Sequence, residues 1–204
     1  MVGIAVSFTL SLLLSVLLLS FRMAFSHEIT YIFLIWNLFL AIIPLGLSTY
    51  LRVFRKGHIN RLYSLVVAAI WLLFLPNSFY ILTDLFHLKQ DELIPLWFDL
   101  ILLLSFAWNG LFLGFASLLD MQQMISEHFR NNRLALRFSA AVIILSSFGI
   151  YLGRFFRFNS WDLLTNPATL IADLLQIVMH PIAYKHVWAM TFVYSLALII
   201  FYNM

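Results

Sequence analysis

The sequence predicts an all-α polytopic membrane protein, a bundle of about six transmembrane helices with one short interfacial amphipathic helix. Three observations predict it. Six apolar runs, each close to the roughly 20 residues that cross a bilayer as a helix, take up most of the 204 residues. Hydrophobic residues make up 63% of the chain and charged ones 10%, with a mean hydropathy of +0.97, against roughly a quarter charged in soluble domains. The runs also lack the alternation of barrel strands, so helices are left as the way to satisfy every backbone polar group inside hydrocarbon.

The spans are expected at 2–21, 29–50, 62–82, 97–119, 134–152 and 184–202, forming one transmembrane domain over 1–204. No Lys or Arg precedes the first run and its apolar stretch is long, so it reads as a retained helix rather than a signal peptide. Gly3, Ser7, Ser11 and Ser15 repeat every four residues along it, a small-residue stripe that lets another helix approach. Gly110 with Gly114 and Gly149 with Gly153 repeat the pattern in the fourth and fifth spans, and packing inside the bundle is the expected use. After the fifth span, Asn166-Pro167 reads as an N-cap followed by proline at the first helical position. From there to His180, Leu170, Ile171, Leu174, Leu175 and Val178 face one way and Thr169, Asp173, Gln176 and His180 the other. A segment at 167–180 is too short to span, and should lie at the interface or pack on the bundle as a re-entrant piece.

Basic residues orient the chain. Arg52, Arg55, Lys56, Arg61, Arg130, Arg133 and Arg137 fall on one side, and Arg22, Lys89, Arg154, Arg157 and Lys185 on the other. The excess predicts that both termini are cytoplasmic in a cell (inner) membrane. Most acids, Glu28, Asp84, Asp91, Glu92, Asp99, Asp162 and Asp173, then lie outside. Cysteine is absent, which excludes disulfides, thiolate catalysis and thiolate-bound metals. The small net charge of +3 gives no indication of nucleic acid.

Chemistry concentrates at three places on the outer side. Asn77, Tyr80, Asp84 and His87 are spaced so that a continued helix would align them as one polar stripe, just above Pro76, which kinks a helix and frees a carbonyl. The bland alternative is that Asp84 caps, His87 lies in water and Asn77 bonds the freed backbone. Asp99 stands in the first turn of the fourth span, where the helix dipole alone favours an acid; a functional role needs a cation beside it. Arg154 and Arg157 share a helix face, followed by Asn159 and Asp162. Paired guanidiniums suit a phosphate or carboxylate, and serve equally as interfacial anchors or as partners for Asp84 and Asp99. Asp84, His87, Asp99 and His180 or His186 are metal-ligand types, but no metalloprotease motif occurs and no metal is assigned. The midplane offers only Asn37, Asn109, Ser105 and Ser147, which disfavours an ion-coupled carrier.

The blocks Leu75-Pro76-Asn77 through Asp84-Leu85-Phe86-His87, Trp97-Phe98-Asp99, and Gly149-Ile150-Tyr151-Leu152-Gly153-Arg154 with Asn159-Ser160-Trp161-Asp162 resemble a bacterial family of small multi-pass membrane proteins, domain of unknown function 1361. The resemblance implies location and fold and carries over no activity, cofactor or catalytic residue. Three classes of function follow. The first is an accessory or binding protein of the cell envelope, with Arg154, Arg157, Asn159, Asp162, Asn77 and Tyr80 as candidate ligand-binding residues and a membrane-protein partner or a lipid-linked envelope ligand as its counterpart. The second is a membrane-embedded hydrolase or transferase for an anionic or lipid-linked substrate, with Asp84, His87 and Asp99 as candidate catalytic residues. The third is a small-solute transporter.

Overall fold

In a computed structural model, which describes residues 2–54, 61–89 and 93–204, the described residues form helices joined by short loops, with no strand among them. Arg55, Lys56, Asp91 and Glu92 of the charge pattern lie outside the described residues. The helices are α1 (Val2–Ser26), α2 (Phe33–Phe54), α3 (Arg61–Tyr80), α4 (Leu96–Phe129), α5 (Asn132–Tyr151), the single turn α6 (Asp162–Thr165), α7 (Pro167–Met179) and α8 (Lys185–Asn203). Six of these, α3 and α5 with their C-terminal extensions, are long and apolar enough to span a membrane. The protein is a multi-pass membrane protein, and lipid replaces water around residues such as Leu17, Trp108 and Phe192, all exposed on the outside of the bundle.

Helix α4 is the hub, packing against α1, α2, α3 and α5, while α8 lies along α5. Glycines set the closest approach. A methyl at Gly110 would stand 2.6 Å from the Ser78 backbone oxygen, and one at Gly114 would stand 2.5 Å from the Phe79 ring, so α3 presses directly onto the α4 backbone. Gly149 receives Pro76 in the same way. The α1 stripe is used for packing only in part: Ser15 is buried and Ser11 half-buried against α4, whereas Gly3 and Ser7 are exposed. Around these contacts, Trp71, Phe79, Phe106 and Leu75 fill the centre.

Polar side chains tie the helices where hydrocarbon leaves them no other partner. Trp71 Nε1 donates to Ser117 Oγ at 2.7 Å, Ser78 Oγ to the Ala41 carbonyl at 2.9 Å, and Asn109 Nδ2 to Ser15 Oγ at 2.8 Å. Gln122 Oε1 accepts from both Ser139 Oγ and Tyr202 OH, joining α4 to α5 and α8.

Several boundaries differ from the sequence expectation. Helix α1 runs on past Phe21 to Ser26, carrying Arg22 inside the bundle. Helix α4 has 34 residues, about 51 Å at 1.5 Å per residue, so its last turns stand beyond the hydrocarbon. Along it, Asp99 and Asp120 are separated by about 31 Å, close to the roughly 30 Å of a bilayer core. Each is held by an arginine from another helix, Arg22 and Arg52 respectively. The two acids therefore mark the ends of the apolar slab, here called the Asp99 end and the Asp120 end.

The segment at 167–180 is a helix, α7, whose apolar residues divide between the bundle and the outside. Ile177 is fully buried with Leu174 half-buried against Leu152 and Val187, while Ile171, Leu175 and Val178 are exposed. The bundle selects the stripe Leu170, Leu174, Ile177, at helical spacing, and leaves the remaining apolar residues outward.

Candidate functional site

The functional candidates gather where α3 and α5 both depart from regular α-helix. After Tyr80, α3 tightens into a 3₁₀ segment, Ile81–His87. After Tyr151, α5 widens into one π turn, Leu152–Phe156, and stops at Arg157, whose φ of 61° is left-handed. A 3₁₀ stretch and a π turn each re-aim side chains that a straight helix would fan around its axis. Between them opens a cavity of about 430 Å³ lined by Phe33, Asn37, Tyr80, Asp84, His87, Gly153, Arg154 and Arg157.

Asp84 sits deepest, 1% exposed. Its Oδ2 accepts the Asn37 amide at 2.7 Å. Its Oδ1 is buried with no hydrogen-bond partner, and the basic side chains nearest to it stop short: Arg154 Nη1 and His87 Nδ1 are each 3.9 Å away, beyond hydrogen-bond reach. Arg154 Nη1 stands 3.5 Å from both ring nitrogens of His87, and its guanidinium carbon lies 5.4 Å from the centre of the Phe86 ring. Arg157 is exposed at the rim, and among the described residues no hydrogen bond or ion pair engages it.

A second ionic site lies beside this cavity. Arg22 is 2% exposed and grips Asp99 side-on, Nε to Oδ1 at 3.3 Å and Nη2 to Oδ2 at 3.4 Å, with Nη1 donating to Ser26 Oγ at 2.8 Å. The Tyr31 ring packs under the guanidinium, and its hydroxyl donates to the His87 carbonyl at 3.4 Å. Tyr31 thus links the buried pair to the cavity wall.

A family model described as "Protein of unknown function (DUF1361)" matches residues 36–201. The chain belongs to the DUF1361 family. No curated protein and no solved structure matches it. The matched segment of this DUF1361 protein holds every polar residue that lines the cavity and leaves out Arg22 with the rest of α1.

Not all the sequence candidates meet. Tyr80, Asp84, His87, Arg154 and Arg157 line one cavity. Asn77 does not continue the stripe, because the 3₁₀ segment breaks the helical register above it. Its amide donates to the Phe74 carbonyl and to Ser160 Oγ, and Ser160 in turn donates to the Leu73 carbonyl. These bonds tie the α3 backbone just before Pro76 to the loop after α5, and they fall on the Phe74 and Leu73 carbonyls rather than on that of Leu72, the one Pro76 frees. Asp162 and Asn159 close their own turn: Asp162 Oδ2 accepts the Asn159 backbone N–H at 2.6 Å, and Oδ1 accepts the Thr165 hydroxyl. Asp99 needed a cation, and that cation is Arg22 rather than Arg154 or Arg157. Nor is Asp84 a cap or a solvated group. Among the described residues, no three His, Asp or Glu side chains come together as a metal site would require.

Asn37 was the residue the sequence placed wrongly, at the midplane. It lies in the second turn of α2, at the Asp99 end, and holds Asp84. A polar residue one turn inside an apolar run was the available signal. Asn109 is central as expected, but it is fully buried against Ser15 and Ser11.

Proposed function

We propose that this protein is a binding component of a bacterial cell membrane, inserted with both termini in the cytoplasm, whose cavity at the extracytoplasmic face takes the phosphate group of an envelope ligand. The observation that carries this is the charge of the cavity wall. Arg154 and Arg157 both line it against the single acid Asp84, and Arg154 makes only long contacts to its neighbours. Two guanidiniums offer two planar forks of donors, which the several oxygens and higher charge of a tetrahedral phosphate can engage from different sides. The volume of about 430 Å³ falls in the range of small-molecule sites, roughly 300–1,000 Å³.

The other two classes find less support. An acid–base pair needs His87 oriented by Asp84, and 3.9 Å between Nδ1 and Oδ1 is too long for an orienting hydrogen bond of about 2.6–3.2 Å. A transport path through Asn109 meets the fully buried Phe106, Leu103 and Leu113.

The test is calorimetric titration of ethyl phosphate into the detergent-purified protein. Wild type is expected to saturate, and Arg154→Gln or Arg157→Gln to weaken binding by about tenfold or more, as loss of a charge-assisted contact implies. Equal heats for wild type and both variants would overturn the proposal.

A further inference from the structure

We infer that the ligand carries a protonated amine beside its phosphate, and that Asp84 Oδ1 receives it. The inference rests on the phosphate reading above and adds the second half of the ligand. Buried carboxylate oxygens are normally hydrogen-bonded. Oδ2 is, through Asn37, but Oδ1 is not, although Asp84 is 1% exposed and lines the cavity. Arg154 Nη1 and His87 Nδ1 flank Oδ1 at 3.9 Å each, leaving this oxygen of a cavity-lining side chain without a donor in reach.

The chemistry of the wall selects an ammonium over a hydroxyl. An N–H carried by a cation makes the stronger, charge-assisted bond to a carboxylate. Phe33 and Tyr80 also line the cavity, and aromatic faces attract a cation where they do nothing comparable for an alcohol. The guanidiniums of Arg154 and Arg157 then hold the anionic end of the same molecule. A phosphate joined to a primary amine by a short link fits both halves. It can arrive as a phospholipid headgroup or as a free phosphoamine.

The experiment uses the full chain in detergent and three probes, phosphoethanolamine, phosphocholine and ethyl phosphate, titrated by calorimetry. Phosphocholine keeps the positive charge but has no N–H to donate. Wild type is expected to bind phosphoethanolamine about tenfold more tightly than either other probe, and Asp84→Asn to bring the three affinities together. Equal affinity of wild type for phosphoethanolamine and ethyl phosphate overturns the amine and leaves the phosphate reading standing, as does a preference that survives Asp84→Asn. A parallel arm needs no variant: in nanodiscs of mixed composition, native mass spectrometry compares retained phosphatidylethanolamine with phosphatidylcholine. Retention of the former with weak binding of the soluble probes identifies the headgroup as the source, retention of neither lipid with tight binding of phosphoethanolamine identifies the free phosphoamine, and firm, equal retention of both lipids counts against the amine. Absence of binding to any soluble phosphate and to either lipid overturns both readings together.

Discussion

Arg22 and Asp99 form an ion pair with almost no contact with solvent, their side chains 3% and 1% exposed, joining α1 to the first turn of α4. Helix α1 has the lightest attachment of the long N-terminal helices, packing chiefly on α4, so this pair and the Asn109–Ser15 bond set its register. Removing either partner leaves the other charge buried, at a cost of about 3–5 kcal/mol. Arg22→Ala and Asp99→Ala should each lose about that much in equilibrium unfolding in mixed micelles, whereas Arg22→Met with Asp99→Leu should recover most of it. At the other end, Arg52 is 56% exposed and Asp120 keeps the hydroxyls of Ser48 and Thr49, so Arg52→Ala should cost about 1 kcal/mol or less.

The α3–α4 contact makes a packing prediction. Because the atom facing Gly110 is the Ser78 backbone oxygen at 2.6 Å, no rotamer change can make room for a methyl. Gly110→Ala should destabilise by about 1–3 kcal/mol in the same unfolding assay. Gly46→Ala, with nothing within 4 Å of its position, serves as the control and should be neutral or slightly stabilising.

Arg157 separates stability from binding. Its left-handed backbone, φ 61°, costs a non-glycine residue about 1–2 kcal/mol, and its side chain has no partner among the described residues. Arg157→Gly should therefore raise the unfolding midpoint while lowering affinity for ethyl phosphate. An increase in stability with unchanged affinity would make Arg157 an interfacial anchor and nothing more. Strain held at a ligand-facing position is the pattern expected of a working site.

The chain has no cysteine, so single replacements report orientation cleanly. Lys89→Cys should react with a membrane-impermeant maleimide in intact cells, and Arg133→Cys only after lysis. The opposite pattern would put the cavity on the cytoplasmic side.

How far the sequence revealed this site depends on which contacts are local. Tyr80, Asp84 and His87 declare themselves by spacing on one segment, and Arg154 with Arg157 on another. Arg22 did not, because a charged residue following a long apolar run looks like the start of a loop, and the acid that grips it once buried, Asp99, is 77 residues away. Which apolar residues of α7 meet the bundle was hidden for the same reason: with hydrophobic residues at Leu170, Ile171, Leu174, Leu175, Ile177 and Val178, periodicity admits more than one packed stripe, and Leu152 and Val187 decide between them. The last turns of α4 were missed because hydropathy falls after Leu119, while Gln122 earns its place through Ser139 and Tyr202. Composition and periodicity report how lipid is met; partners distant along the chain are set by packing.

The most direct test of the phosphate site is ³¹P–¹⁵N dipolar dephasing in reconstituted protein carrying ¹⁵N-labelled arginine, with ethyl phosphate added. The guanidinium signals of Arg154 and Arg157 should dephase while those of Arg22 and Arg52 stay unchanged. Bound phosphate that leaves Arg154 and Arg157 unaffected, or that dephases all four alike, would contradict a binding site at the Asp84 cavity.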